Sequence, residues 1–372
     1  MHFAQLYSLP LAVALASQAL VSAAPNVQLG LNHADTVLIE NQRLYITDGL
    51  RYEDENKSSY QFLSLDLTTA WTSDAPAWTN HTRRTAFETQ HQGLPVLTKD
   101  GSSILFFSGT STYQYNVKTN EWAKDIYKNW TYSAFEGGVV TDTDSGLIYG
   151  IESFPTVPTR WKFTQFNPTT KDSSFVEQDG HPNVTAIWRT LVYSKASKTI
   201  YSYDDEYLYP EPAPVQFTSY NIASKKWSAV NATGDIPSPR NSPCLVTADG
   251  GKRLILAGGL NMTGPNVHDD VYSFDVATSV WSKLAKAPRA AWSPICAVSG
   301  DSFIYWGGLA RKEKSFNYDE GPAILNIVSN TWGDKYTPPT PVSSADRANA
   351  VLSKVGLAAL TVVSIAVSSW VL

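Results

Sequence analysis

Arg84, Arg189, Arg240 and Arg289 each stand ahead of a short apolar run, and the last three are 51 and 49 residues apart. Arginine presents a planar fork of donors that suits carboxylate or phenolate oxygens. Four of them brought to one place would make an anion-binding cluster. Trp188, Asn241 and Trp292 stand beside these arginines and complete the candidate ligand-binding set. Glu136 is the only acid in comparable position, and it could serve as a general base or as an arginine partner; His91 could move protons. A second reading of the same residues is that the arginines bond backbone carbonyls and acids and so knit neighbouring elements together. The residue types alone leave both open.

Other chemistry has less support. The six histidines, His2, His33, His81, His91, His181 and His268, show neither His-X-His nor His-Glu-X-X-His spacing, so no metal is expected. The acid pairs Asp204-Asp205 and Asp269-Asp270 could hold calcium, but they read as solvated loop acids. No nucleophile elbow, phosphate loop or dinucleotide motif is present, and no cofactor is expected. A net charge of −5 and a pI near 5.7 give no electrostatic case for nucleic-acid binding.

The elements that must position these residues repeat. The unit is an apolar strand ending in a glycine pair (253–259), a loop, a strand ending in Asp275, a short turn, and a strand opened by Trp281. Aligned Asp or Asn residues fall at 66, 116, 167, 221, 275 and 326, a period of about fifty residues, within the range of repeat propellers. Trp122, Trp227, Trp281 and Trp332 follow four of them by six positions; Trp71 follows the first by five and Phe175 the third by eight. Each unit reads as short alternating or apolar runs bounded by turn residues. The first unit is expected to place strands at 35–40, 43–49 and 60–67 and then Trp71. Sheets of this kind bury their faces by packing radially around an axis. The tryptophans then act as wedges between blades, and the glycine pairs permit close backbone approach.

The unit resembles the kelch repeat, and residues 26–335 resemble an all-β, six-bladed kelch-type propeller, the superfamily that includes the galactose oxidase propeller. The Gly-Gly doublet is intact at Gly258-Gly259 and Gly307-Gly308, and blade three lacks its tryptophan. Residues 27–31 could add a strand beside the last blade to close the ring. The resemblance implies that ligands bind at the mouth of the central channel, where the loops ahead of the innermost strands converge. A galactose-oxidase-type copper site would need a histidine pair and a cysteine crosslinked to tyrosine, and the sequence offers no match. The Glu-X3-Asp-X3-His iron motif of some plant kelch proteins is nearest at Glu121, Asp125 and Asn129, where the third ligand is missing.

Residues 1–23 read as a secretory signal: an apolar run at 9–20 leads into Val21-Ser22-Ala23-Ala24. Six Asn-X-Ser/Thr sequons, at Asn56, Asn80, Asn129, Asn183, Asn231 and Asn261, mostly between expected strands, suit a glycosylated surface. Residues 355–372 form an uncharged apolar tail behind a mostly polar spacer (336–354). Small residues including Ser343 and Ser344 precede it, as at a GPI-attachment site; a plain membrane span or a merely adhesive tail are the alternatives. Cys244 and Cys296 occupy aligned first strands of neighbouring blades, where a disulfide or two buried thiols are both compatible with the pattern.

Two functions are compatible with this sequence. One is a secreted or surface-anchored monomeric propeller that binds a small anionic molecule, a glycan or a surface protein. The other follows from similarity to secreted kelch-like proteins of filamentous fungi, some encoded among secondary-metabolite genes. It implies a tailoring enzyme or accessory protein of a polyketide-type pathway, in which the arginines would stabilise an enolate.

Overall fold

The computed structural model describes residues 35–47, 62–81, 94–108, 111–124, 126–127, 135–153, 161–176, 189–204, 217–261, 266–308 and 321–340. The expected signal, the strand at 27–31, the sites at Ser343 and Ser344 and the apolar tail lie outside these residues. Six sheets follow one another along the chain as the blades of a propeller, antiparallel but for the short strand Thr233–Gly234, which pairs parallel to the outer strand of blade five. Their innermost strands are Asp35–Ile39, Pro95–Leu97, Phe135–Thr141, Arg189–Ser194, Cys244–Ala248 and Ile295–Ser299. Among the described residues the one helical element is a single 3-10 turn at Asp249–Gly251, and no helix is long and apolar enough to cross a membrane.

The repeated Asp or Asn has a local cause. Each ends the third strand of its blade, or at Asn167 directly follows it, and turns its side-chain oxygen back on the following turn. Asn116 Oδ1 accepts from the backbone N–H of Lys118 at 3.0 Å and Thr119 at 2.9 Å. Asn167, Asn221, Asp275 and Asn326 make equivalent bonds. Asn120, Lys171, Lys225, Ser279 and Asn330, four residues on, have φ of 55–67°. The side chain mimics a backbone turn partner, so the third and outer strands are joined by one fixed turn.

The first blade departs from this rule. Asp66 bonds the N–H of Thr68, but no left-handed residue follows it. Its outer strand is Trp78–Asn80, paired with Phe62–Asp66, rather than a strand opened by Trp71. Trp78 then does at this blade what the outer-strand tryptophan does elsewhere, its ring lying 4.5 Å from Trp306 of blade six. Trp71 instead joins Lys335–Tyr336 in a two-stranded sheet that closes the ring. Tyr336 stacks on Trp71 at 4.9 Å, and its hydroxyl donates to Leu67 O at 2.9 Å. Ser73 Oγ donates to Pro322 O, and Asn41 Oδ1 accepts from Ser299 Oγ and Gly300 N. Closure therefore uses the C-terminal strand of the propeller.

Trp227 packs against Phe163 of blade three and Trp281 against Phe217 of blade four, as wedges between blades. Blade three differs again. Phe175 is 52% exposed, with Lys162 Nζ 4.4 Å from its ring centre, and is not a wedge. Tyr127 fills the seam between blades two and three, 4.6 Å from Phe166. The glycine doublets mark close approach: at Gly258, with φ of 68°, an added Cβ would lie 2.5 Å from Ala291 O.

His81 lies in the aromatic seam between blades one and two, with rings of Tyr45 and Phe62 at 5.5 and 5.3 Å. Its Nε2 is 2.8 Å from Ser64 Oγ and its Nδ1 3.1 Å from Tyr115 OH. Burial, with a smaller push from Arg43, lowers its pKa to about 4. The folded chain therefore keeps this imidazole neutral, whereas the unfolded chain protonates it below its ordinary value of about 6.5. Stability is full above that value and falls as the pH drops towards 4, by on the order of 2 kcal/mol for a half-buried ring. Thermal melts across this range should show the loss, and His81→Phe should flatten it.

Candidate functional site

The innermost strands enclose a central cavity of about 1000 Å³. Its walls come from segments such as 36–39, 94–98 and 242–248 and carry no charged side chain. The charged lining residues, Glu40, Lys99, Asp100, Lys195, Asp249 and Asp301, all sit at one end, on the hairpins that follow the innermost strands. Cross-blade bonds hold these hairpins in place. Lys99 Nζ donates to Asp144 O, and Ser194 Oγ donates to Gly251 O at 2.6 Å. The rim is thus mixed in charge and internally bonded.

The opposite end, ahead of the innermost strands, is where the arginine cluster was expected. Arg84, His91 and Trp188 lie outside the described residues. Glu136 and Arg189 are placed by their backbone alone, inside the innermost strands of blades three and four rather than in loops ahead of them. The strand of blade three starts earlier than its apolar run suggests because an irregularity between Phe135 and Val139 carries pairing across two glycines.

Arg240, Asn241, Arg289 and Trp292 are described, and none of them lines the cavity. Arg240 is 0% exposed. Its Nε donates to Ser238 O at 2.9 Å. One terminal nitrogen reaches Gly258 O at 3.1 Å and Asp270 Oδ1 at 2.5 Å; the other reaches Ser238 Oγ at 3.1 Å and Asp270 Oδ2 at 3.3 Å. Five bonds exhaust the five N–H groups of a guanidinium. The Tyr272 ring lies 5.4 Å from the guanidinium carbon, and Tyr272 OH donates to Asp270 Oδ2 at 2.9 Å. Arg240 is therefore a tie within blade five, not an open anion receptor, which corrects its place among the ligand contacts.

The electrostatics agree with that role. Burial works against the charge of Arg240, but the bonds and charge of Asp270 raise its pKa above the ordinary arginine value. Burial likewise works against the Asp270 carboxylate, and Arg240 overrides it and holds the pKa low. Burial and then Asp270 push Tyr272 up to about 12. His268 Nδ1 lies 3.9 Å from Asp270 Oδ1, and burial with Arg240 lowers the His268 pKa.

The remaining described candidates also join elements. Asn241 is buried and exchanges backbone bonds with Leu260 at 2.8 and 2.9 Å. Ser293 N donates to Ser242 O at 3.1 Å, which links the loops ahead of the innermost strands of blades five and six. Half-buried Arg289 reaches Gly321 O at 3.4 Å, and Trp292 is half-buried in the same loop. Asp270 and Tyr272 are the partners of Arg240 that no sequence motif marks, and Asp270 lies in this bonded network rather than in a solvated loop. A signal existed in the spacing, since Arg240 precedes Asp270 by thirty residues and Arg289 precedes Asp319 by the same number.

Cys244 and Cys296 form a disulfide, with Cα atoms 6.1 Å apart, between the innermost strands of blades five and six. Of the sequons, Asn80 lies in the outer strand of blade one rather than between strands, and it and Asn231 are exposed; Asn261 is half-buried. Asn56, Asn129 and Asn183 lie outside the described residues. Among the described residues, no group of three or more His, Cys, Asp or Glu converges as metal ligands would.

Residues 199–358 match the family model described as the KLHDC2/KLHL20/DRC7 Kelch-repeats domain. Among curated proteins, Kelch domain-containing protein 3 of Bos taurus is 24% identical over 139 residues. That alignment covers 35% of this chain and 35% of the relative, so it spans about a third of the relative's length.

Proposed function

We propose that this six-bladed propeller, whose residues 199–358 match a kelch-repeat model, is a secreted, surface-anchored scaffold that captures a protein partner, as kelch propellers generally do. The observation that carries this reading is the saturation of Arg240. The anion-receptor reading needed its guanidinium open to a ligand, and all five of its N–H groups are bonded within the protein. With Arg240 bonded within blade five, partner capture is assigned to the propeller face.

The secretory part of the proposal is supported by the disulfide between blades five and six, since oxidising compartments sustain such bonds. It is also supported by the exposed sequons and by the apolar segments at both ends of the chain. Asn80→Gln and Asn231→Gln should each remove one glycan from the secreted protein, read as a stepwise mass loss that enzymatic deglycosylation abolishes.

The functional test has two arms. Purified, glycosylated full-length protein is titrated against candidate surface proteins and a glycan array. Culture metabolites are compared with the gene intact and deleted. Saturable protein binding with an unchanged metabolite profile is the expected result. A vanished product with an accumulating precursor would overturn the binding reading and place the chain in a biosynthetic pathway.

A further inference from the structure

The chain leaves the propeller at one defined point. After Tyr336 closes the ring, the segment continues past the hairpin between the innermost and second strands of blade six. Tyr336 OH lies 2.8 Å from Ser299 Oγ, and Pro339 sits so close to Gly300 that a Cβ on that glycine would lie 2.8 Å from Pro339 Cβ. Gly300 and Asp301 both line the charged end of the central cavity. The exit is therefore beside the cavity mouth, on the face formed by the hairpins that follow the innermost strands.

We propose that this hairpin face rests towards the lipid surface and that the opposite face, which carries the loops ahead of the innermost strands, is the one presented to a partner. The inference rests on the anchoring proposed above. Ser343 and Ser344 follow Thr340 by three and four residues, a reach of no more than about 15 Å even when fully extended. The innermost strands run to seven residues, so the two faces lie about 20 Å or more apart, and a chain of that reach cannot carry its attachment point past the propeller to the far face.

The charge of that face fits a neutral bilayer. Its rim carries Glu40, Asp100, Asp249 and Asp301 together with Lys99 and Lys195, and Arg253 is paired to Asp249. Mixed charge gives neither strong attraction to a zwitterionic surface nor strong repulsion from it, so the tether sets the orientation. The loops of blades five and six that hold Arg240 and Trp292 then point outward, which gives their bonding a purpose: they stiffen the presented face.

The test uses full-length protein, recovered with its anchor and reconstituted in phosphatidylcholine vesicles that carry a headgroup-labelled energy acceptor. Donor fluorophores are attached at Lys252→Cys, exposed on the hairpin side of blade five, or at Lys286→Cys, exposed near Asp269 on the opposite side. Transfer from position 252 is expected to be at least twofold more efficient than from position 286. Vesicle-bound protein with equal or reversed efficiencies overturns the orientation while leaving anchoring intact. Protein that floats free of the vesicles overturns the anchoring reading and the orientation with it.

Discussion

Arg240→Ala is expected to lower the stability of the propeller by about 3–5 kcal/mol, the range for breaking a buried ion pair by removing one partner. The cause is what remains. Asp270 keeps its hydrogen bond from Tyr272 but loses both guanidinium bonds, Gly258 O loses its donor, and Ser238 O keeps only Tyr203 OH at 3.3 Å. A loss of this size exceeds a typical single-site effect, so secretion should fall sharply, measured as the ratio of secreted to retained protein. Arg240→Lys should recover part of it, since an ammonium can reach one carboxylate oxygen but lacks the planar fork. Normal secretion and melting of Arg240→Ala, with only partner binding lost, would return Arg240 to the ligand-contact reading. Acid should act in the same direction: Asp270 has a lowered pKa in the fold, so its contribution is complete above the ordinary carboxylate range and disappears as the pH falls through the lowered value.

The second large effect belongs to the disulfide. Cys244 and Cys296 are 52 residues apart, and closing a loop of that size removes about 4 kcal/mol of chain entropy from the unfolded state; measured losses are about 2–4 kcal/mol. Both sulfurs lie in the buried cluster between blades five and six, so the double variant Cys244→Ala, Cys296→Ala loses the crosslink with little change in volume. The expected result is a melting temperature about 5 °C lower, matched by the wild-type protein under a strong reductant. An unchanged melting point on reduction would show that blade packing alone holds this seam.

The propeller was legible because its repeated residues have local jobs. An Asn or Asp that caps its own turn works in any blade, so the pattern survives in sequence as a fifty-residue period. Trp71 misled because the first blade lacks the left-handed residue that completes the turn elsewhere. The outer strand slides on to Trp78, and Trp71 is left for the closing pair. Phe175 misled because an aromatic at roughly the right distance looks like a wedge, while the space was already filled by Tyr127 from the preceding blade. At the candidate site the residue was legible and its role was not. Arg240 would read the same facing a ligand or facing Asp270, since the choice depends on which loop carries the acid to it, and loop placement has no period.

The pairing of Lys335–Tyr336 with Trp71–Thr72 joins positions more than 260 residues apart. Contacts this distant are slow to form because a long loop must close before they reward it. During synthesis, blade one emerges early and waits with its Trp71 surface uncovered until the last strand leaves the ribosome. At about 5–20 residues per second the wait lasts tens of seconds. Over that interval the open ring exposes two apolar blade faces, which makes the nascent chain a client for chaperones of the compartment it folds in.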